Sequence, residues 1–421
     1  MPRNPSFCIR ALGCKVSRTE AEELASAFLS ANWRQAPLAE ADVAVLCTCT
    51  VTGEAESKNR KMLREMLREC PGRIIVTGCA VSLDPSPYAA IDSRVVCEGD
   101  GARIPALAAE LLGSAAPAST TEADAPLPRV GRTFRTRVNV KVQDGCDNTC
   151  SYCVVNKARG PARSLSLERV VRDVNFHVGN GAKEIVLVGI DLGAYRSDGA
   201  NLAELLEAIL ERTEVERVRL SSIEPENVTP DLVDLLALSD GRVCRHLHMS
   251  LQSGSEKVLR EMNRRYTAAE YETLVATLRK RIPTIALSTD VIAGFPGETE
   301  EDFAATLALA ERCRFMRLHV FRYSPRPGTP AAERADQIPA AVASQRATRL
   351  RELGSRLAEE DARWRVGSVE RVIVEKTGDG TSESYRKVRF PRRLPAGSSV
   401  ETRFTSYDPA SGMLLGEPIV G

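Results

Sequence analysis

The chain is poor in imidazole: it has four histidines, His177, His246, His248 and His319, in 421 residues. Zinc hydrolase chemistry leans on that ligand and is correspondingly disfavoured. No run of about 18 uncharged apolar residues occurs, so a membrane-spanning helix is not expected. The opening Met1-Pro2-Arg3-Asn4-Pro5 lacks a signal-peptide hydrophobic region, and the expectation is a cytoplasmic protein without membrane partners. An excess of charge of one sign is also missing. With 57 Lys+Arg against 56 Asp+Glu, any contact with nucleic acid has to come from a local basic patch rather than a global field. The length exceeds what one ordinary core accommodates, which implies two or three domains.

Cysteine, by contrast, is plentiful, with 12 residues. In a reducing compartment that number points to metal ligation or catalysis, with some buried packing, and away from a disulfide framework. Three of them crowd into Gly145-Cys146-Asp147-Asn148-Thr149-Cys150-Ser151-Tyr152-Cys153, a CxxxCxxC spacing. Thiolates this close in one loop favour zinc, copper(I) or an iron–sulfur cluster. Three ligands are one short of the usual four, and the open coordination position suits substrate chemistry. A structural zinc site with a fourth ligand from elsewhere is the bland alternative.

Ahead of this loop, residues 6–12 read as a strand and Ser17-Arg18-Thr19-Glu20 as a capping box opening a helix to about Asn32. Apolar runs at 41–47, 73–77 and 95–97 alternate with a helix over 54–69 and another from Ala102, the pattern of a parallel α/β domain. Cys14, Cys49 and Cys79 each follow one of its strands. The carboxyl edge of an open α/β sheet gathers ligands, so these distant residues can converge on a second three-cysteine centre. Cys8, Cys70 and Cys97 read as small buried hydrophobes, while Cys47 could compete with Cys49.

Residues 112–133, rich in Ala, Pro, Ser and Thr, read as a linker. Strand-like runs at 137–142, 184–190, 217–223, 246–251, 284–292 and 316–323 follow, separated by helical patterns. Six βα units predict a parallel barrel short of eight strands and open on one side, with the cysteine loop at its catalytic end. Glu224, Gln252 and Asp290 lie at strand ends, where they could orient a cofactor or form barrel ion pairs. His246 and His248 alternate on one strand and read as packing or hydrogen-bonding residues. A long helix over 336–365 leads to short alternating runs at 369–375, 384–390 and 399–404, the pattern of a small β-barrel. There Lys376, Arg386, Lys387, Arg389, Arg392 and Arg393 cluster with Tyr385 and Phe390, a surface suited to RNA phosphates and bases. The expected domains are 1–111, 134–365 and 366–421.

The CxxxCxxC loop resembles that of the radical S-adenosylmethionine enzymes. The whole chain looks like a methylthiotransferase of that superfamily, through Gly13-Cys14-Lys15-Val16, Thr48-Cys49-Thr50-Val51-Thr52 and Val76-Thr77-Gly78-Cys79, and through Ala158-Arg159-Gly160, Ser221-Ser222-Ile223-Glu224-Pro225 and Gly294-Phe295-Pro296-Gly297-Glu298. The tail resembles a TRAM domain. The resemblance implies two [4Fe–4S] clusters, one on Cys146, Cys150 and Cys153 that chelates S-adenosylmethionine and an auxiliary one on Cys14, Cys49 and Cys79. It also implies a tRNA substrate, a reduced flavodoxin or ferredoxin type electron donor, and radical insertion of a methylthio group at an unactivated carbon. Val142-Gln143-Asp144-Gly145-Cys146 looks most like the branch acting on N6-threonylcarbamoyladenosine beside the anticodon. Branches acting on isopentenyladenosine or a ribosomal-protein aspartate are the rivals, and a non-catalytic iron–sulfur RNA-binding protein is the alternative of another class.

Overall fold

The computed structural model describes residues 4–50, 53–113 and 136–419. The expected linker at 112–133 lies, beyond Gly113, outside the described residues. The described residues fall into two compact units, the first comprising 4–50, 53–113, 145–148 and 153–162 and the second 136–144, 149–152 and 163–419.

In the first unit, strands β1 (Ser6–Ala11), β2 (Arg34–Gln35), β3 (Val43–Thr48), β4 (Arg73–Gly78) and β5 (Val95–Cys97) form one parallel sheet in the order β2-β1-β3-β4-β5. Helices α1 (Lys15–Ser30), α2 (Gly53–Glu69), α3 (Cys79–Leu83), α4 (Ser86–Ala89) and α5 (Ile104–Leu111) connect and cover it. Alternation along β3 explains the two-layered core. Val43, Val45 and Cys47 pack with Phe28 and Ile104, whereas Ala44 and Leu46 pack with Leu63 and Met66. The expected capping box does not form. Helix α1 starts earlier, with Cys14 extended at its N-cap, and Thr19 Oγ1 donates back to the Lys15 carbonyl at 3.0 Å. The short edge strand β2 has no apolar pattern and escapes sequence reading. Helix α6 (Val155–Arg159) completes the unit.

In the second unit, β6 (Arg137–Lys141), β9 (Glu184–Val188) and β10 (Arg217–Leu220) form one parallel sheet and β11 (Ser222–Ile223), β12 (His246–Met249), β13 (Ala286–Ala293) and β14 (Arg317–Arg322) another; β7 (Gln143–Asp144) and β8 (Arg163–Ser164) make a small ribbon. The single run expected at 217–223 is broken at Ser221, whose N–H donates to Leu187. An isolated parallel bridge pairs Val218 of β10 with Val243, three residues ahead of β12. Six βα units thus form an incomplete parallel barrel, with α7 (Leu167–Gly179), α8 (Leu202–Arg212), α9 (Pro230–Leu238), α10 (Glu256–Glu261), α11 (Ala268–Arg281) and α12 (Glu300–Cys313) between strands. No pairing of β6 with β14 occurs among the described residues, so it stays open.

Helix α13 (Ala340–Trp364) leads to a closed five-stranded barrel of β15 (Val369–Val374), β16 (Gly380–Ser382), β17 (Lys387–Arg389), β18 (Ser399–Asp408) and β19 (Met413–Pro418). The run expected at 384–390 starts later because Tyr385 turns the chain at φ 66°. Strand β16 is too small and polar to show alternation. Glu184, on β9, explains how the barrel is seated. Arg217 Nη2 and Arg219 Nε lie 2.5 and 2.8 Å from its two carboxylate oxygens, all three side chains being fully buried. The arginines then donate at 2.8–2.9 Å to the carbonyls of Arg371, Thr381, Ser382 and Glu383 in the barrel. Burial works to raise the Glu184 carboxyl, but the two guanidinium groups prevail and hold it well below the usual range.

Candidate iron–sulfur and cofactor site

In the first unit, the ladder pairs Ala11 with Cys47, Cys47 with Thr77 and Thr48 with Gly78, which brings the carboxyl ends of β1, β3 and β4 side by side. Cys14, Cys49 and Cys79 follow those ends. Gly13 permits the approach: its φ is +130°, and a Cβ there would meet Cys49 Cβ at 3.0 Å. The peptide of Cys49 is bracketed by Asn59, which is completely buried; Asn59 Nδ2 donates to the Cys49 carbonyl at 2.7 Å and the Cys49 N–H returns to Oδ1 at 3.4 Å. Cys14 Sγ is 3.7 Å from Ser17 Oγ. Arg159 Nε stands 3.1 Å from Cys79 Sγ. Burial pushes the Cys79 thiol up to about 11, and the Arg159 guanidinium pulls against that. Cys47 packs in the apolar layer, where burial pushes its thiol up to about 12. Cys8 and Cys70 are core residues as well.

The CxxxCxxC loop is shaped by Gly145, whose φ is +69° and where a Cβ would fall 2.0 Å from the Pro161 carbonyl. In the first unit, the N–H of Asn148 points at Cys146 Sγ and that of Val155 at Cys153 Sγ, both at 3.4 Å. In the second unit, Ser151 bonds to Met262 and Ala331 through its backbone, and Asn263 Nδ2 donates to Thr149. Arg264 Nη1 lies 3.3 Å from Cys150 Sγ. N–H donors directed at sulfur favour the thiolate, which is the ligating form. Among the described residues no three His, Cys, Asp or Glu side chains gather closely enough to hold a single ion. Cysteine thiols with N–H donors directed at their sulfurs are the kind of donor that iron–sulfur clusters take.

The other expected site residues fall on neighbouring strands of the second unit. Glu224 follows β11 and is ion-paired with Arg264. Burial pushes its carboxyl up to about 7 even though Arg264 draws it down. The Gln252 N–H donates to the Asp290 carbonyl at 2.9 Å, with Gln252 at φ 63°. Asp290 Oδ1 is 3.2 Å from His248 Nε2, so it has a partner inside the barrel. His246 and His248 bracket the Ser288 hydroxyl at 3.1 and 3.0 Å, the hydrogen-bonding role expected for them. Sequence reading missed Arg264 and Asn59. Arg264 lies more than 100 positions from Cys150, and Asn59 sits in a charged helix pattern, so no local signal marks either one.

The basic residues of the barrel divide. Lys376, Lys387, Arg389, Arg392 and Arg393 are exposed. Arg386 is not: it is buried, with Nη2 2.6 Å from Asp361 and 2.8 Å from the Ala358 carbonyl on α13. Tyr385 is also turned inward, with the Arg219 guanidinium 4.4 Å from its ring. Both therefore hold the barrel to its neighbours and are not offered to RNA.

The family model described as the radical SAM superfamily matches residues 140–310, and that described as uncharacterized protein family UPF0004 matches residues 6–97. The chain is 37% identical over 392 residues to the threonylcarbamoyladenosine tRNA methylthiotransferase MtaB of Bacillus subtilis, covering 90% of this chain and 87% of that one. It is 35% identical over 414 residues to the tRNA-2-methylthio-N(6)-dimethylallyladenosine synthase of Acetivibrio thermocellus, covering 91% and 85%. Among solved structures, the radical S-adenosylmethionine methyltransferase TsrM of Kitasatospora setae superimposes with a TM-score of 0.57 at 17% identity, over 78% of this chain and 77% of that one, a likeness of fold. With the 6–97 and 140–310 segments matched and the identity sustained along nearly all of the chain, the protein belongs to the radical S-adenosylmethionine tRNA methylthiotransferases.

Proposed function

We propose that this enzyme adds a methylthio group to C2 of N6-threonylcarbamoyladenosine 3′ of the tRNA anticodon, using two [4Fe–4S] clusters. The observation that carries the choice of nucleoside is the 37% identity to a relative named for that substrate, over 90% of the chain. Cys146, Cys150 and Cys153 would hold one cluster and Cys14, Cys49 and Cys79 the other. When bound, a [4Fe–4S] cluster with S-adenosylmethionine supplies the radical chemistry that an unactivated C–H bond needs. The protein contributes position and charge. Arg264 donates to Cys150 and is itself held by Glu224. Glu224, Gln252 and Asp290 come from consecutive strands and form the polar lining expected to orient the cofactor. Within the 366–421 domain, Lys376, Lys387, Arg389, Arg392 and Arg393 would meet tRNA phosphates, with a flavodoxin or ferredoxin type protein as electron donor in the cytoplasm.

A second reading has its own support: the Acetivibrio thermocellus relative, 35% identical, is named for dimethylallyladenosine. Mass spectrometry of tRNA nucleosides from cells with and without the gene separates them. Loss of 2-methylthio-N6-threonylcarbamoyladenosine alone is expected. Its persistence, with loss of the methylthio-isopentenyl nucleoside, would replace the first substrate by the second.

A further inference from the structure

Three side chains of the first unit, Glu20, Arg159 and Cys79, form a line of contacts that ends at the Cys79 sulfur. Arg159, the last residue of α6, places Nε 3.1 Å from Cys79 Sγ. Its terminal nitrogens stand 2.7 and 3.0 Å from the two carboxylate oxygens of Glu20 on α1. The arginine side chain is only 7% exposed. A planar guanidinium that spends both terminal nitrogens on one carboxylate has a fixed orientation, and its remaining N–H then has one direction to point. Here that direction is the thiol. Arg159 belongs to the same stretch of chain as Cys153, whereas Cys79 belongs to the other set of three, and Glu20 is a residue that helix capping leaves unused.

An N–H donor and a cation beside a ligating sulfur favour whichever state carries more negative charge. They stabilise thiolate over thiol and the reduced over the oxidised cluster. Glu20 offsets part of the charge but fixes the donor. We propose that Arg159, clamped by Glu20, is a positioning residue that hydrogen-bonds the Cys79 thiolate and raises the reduction potential of the auxiliary cluster. This rests on the reading of Cys14, Cys49 and Cys79 as ligands of a cluster. It reaches beyond that reading because it assigns a residue outside the ligand set to the cluster's redox properties.

The test uses the full chain with Cys146→Ser, Cys150→Ser and Cys153→Ser, reconstituted anaerobically so that the auxiliary cluster is isolated. Iron analysis should find about four irons per chain. Loss of iron from this parent overturns the two-cluster reading and this proposal with it. A redox titration followed by electron paramagnetic resonance then compares the parent with Arg159→Gln and Arg159→Lys. Arg159→Gln should lower the reduced-to-oxidised ratio at a fixed applied potential about tenfold, ~59 mV for one electron, with altered g-values. Arg159→Lys, which keeps the charge but not the fork, should fall between. An ion pair that only ties α6 to α1 would lower the melting temperature and leave the potential in place. Retained iron with an unshifted potential in Arg159→Gln overturns the assignment of Arg159 alone. If Arg159→Gln loses its iron, Arg159→Lys decides, and a potential equal to that of the parent overturns it.

Discussion

Among the described residues, the sulfurs of Cys79, Cys146, Cys150 and Cys153 each accept an N–H, from backbone at Cys146 and Cys153 and from arginine at Cys79 and Cys150. Such donors orient ligands and tune the charge on sulfur, and removing one generally costs roughly 10–100-fold in metal affinity or activity. Arg264→Ala is therefore expected to lower 5′-deoxyadenosine release by that order, roughly 10–100-fold, measured by chromatography of anaerobic reactions with S-adenosylmethionine and a strong reductant. The two sets should also separate. Cys150→Ala should abolish that release, whereas Cys14→Ala, Cys49→Ala and Cys79→Ala combined should spare it and abolish methylthiolated product. Retained methylthiolation in the combined variant would remove the second set from the chemistry. The thiols themselves were legible from spacing and strand order. Their donors were not, because Arg264 and Arg159 reach them only through the folded chain.

At the level of elements, the C-terminal barrel shows how similar residues in one segment take opposite roles. Arg386 and Arg392 lie six positions apart in a basic stretch, yet Arg386 is paired with Asp361 while Arg392 is exposed. Closure of the strands sets this: Tyr385 at φ 66° redirects the chain just before β17, turning Arg386 toward α13. Arg392→Ala with Arg393→Ala should weaken tRNA binding and reduce its salt slope by about 1 per arginine. Arg386→Ala should leave that slope alone and instead destabilise the fold by about 1.5–3 kcal/mol, since it removes a charged hydrogen-bond partner from the half-buried Asp361 carboxylate, which keeps Arg365. Filter binding across a salt series and urea unfolding check the two halves. A normal melt with a reduced slope in Arg386→Ala would return that residue to the RNA surface.

For the molecule as a whole, acid sensitivity follows from His177 on α7, which is 4% exposed and whose imidazole burial pushes down to about 4. The unfolded chain takes up this proton near pH 6.5, the folded one only near 4. Between those values the unfolded state holds more protons, so stability present at neutral pH is lost as the pH falls, about 2 kcal/mol by pH 5. Urea midpoints measured at pH 7 and pH 5 should show this loss in the wild type and much less of it in His177→Gln. Equal losses in both would place the acid sensitivity elsewhere.

The order of the elements, the parallel sheets and the two sets of three cysteines follow from the sequence itself. Alternation, turn residues and cysteine spacing are local properties, and a strand order of this kind brings carboxyl ends together wherever it occurs. What the tertiary structure alone decided is the environment of each group. The break of one run into β10 and β11, the burial of Arg386, the Glu184 pair that seats the barrel, and the Arg159–Glu20 fork on Cys79 all join residues distant in sequence. Whether a charge is solvated, paired or aimed at a sulfur depends on which elements surround it, and no window of neighbouring residues contains that information.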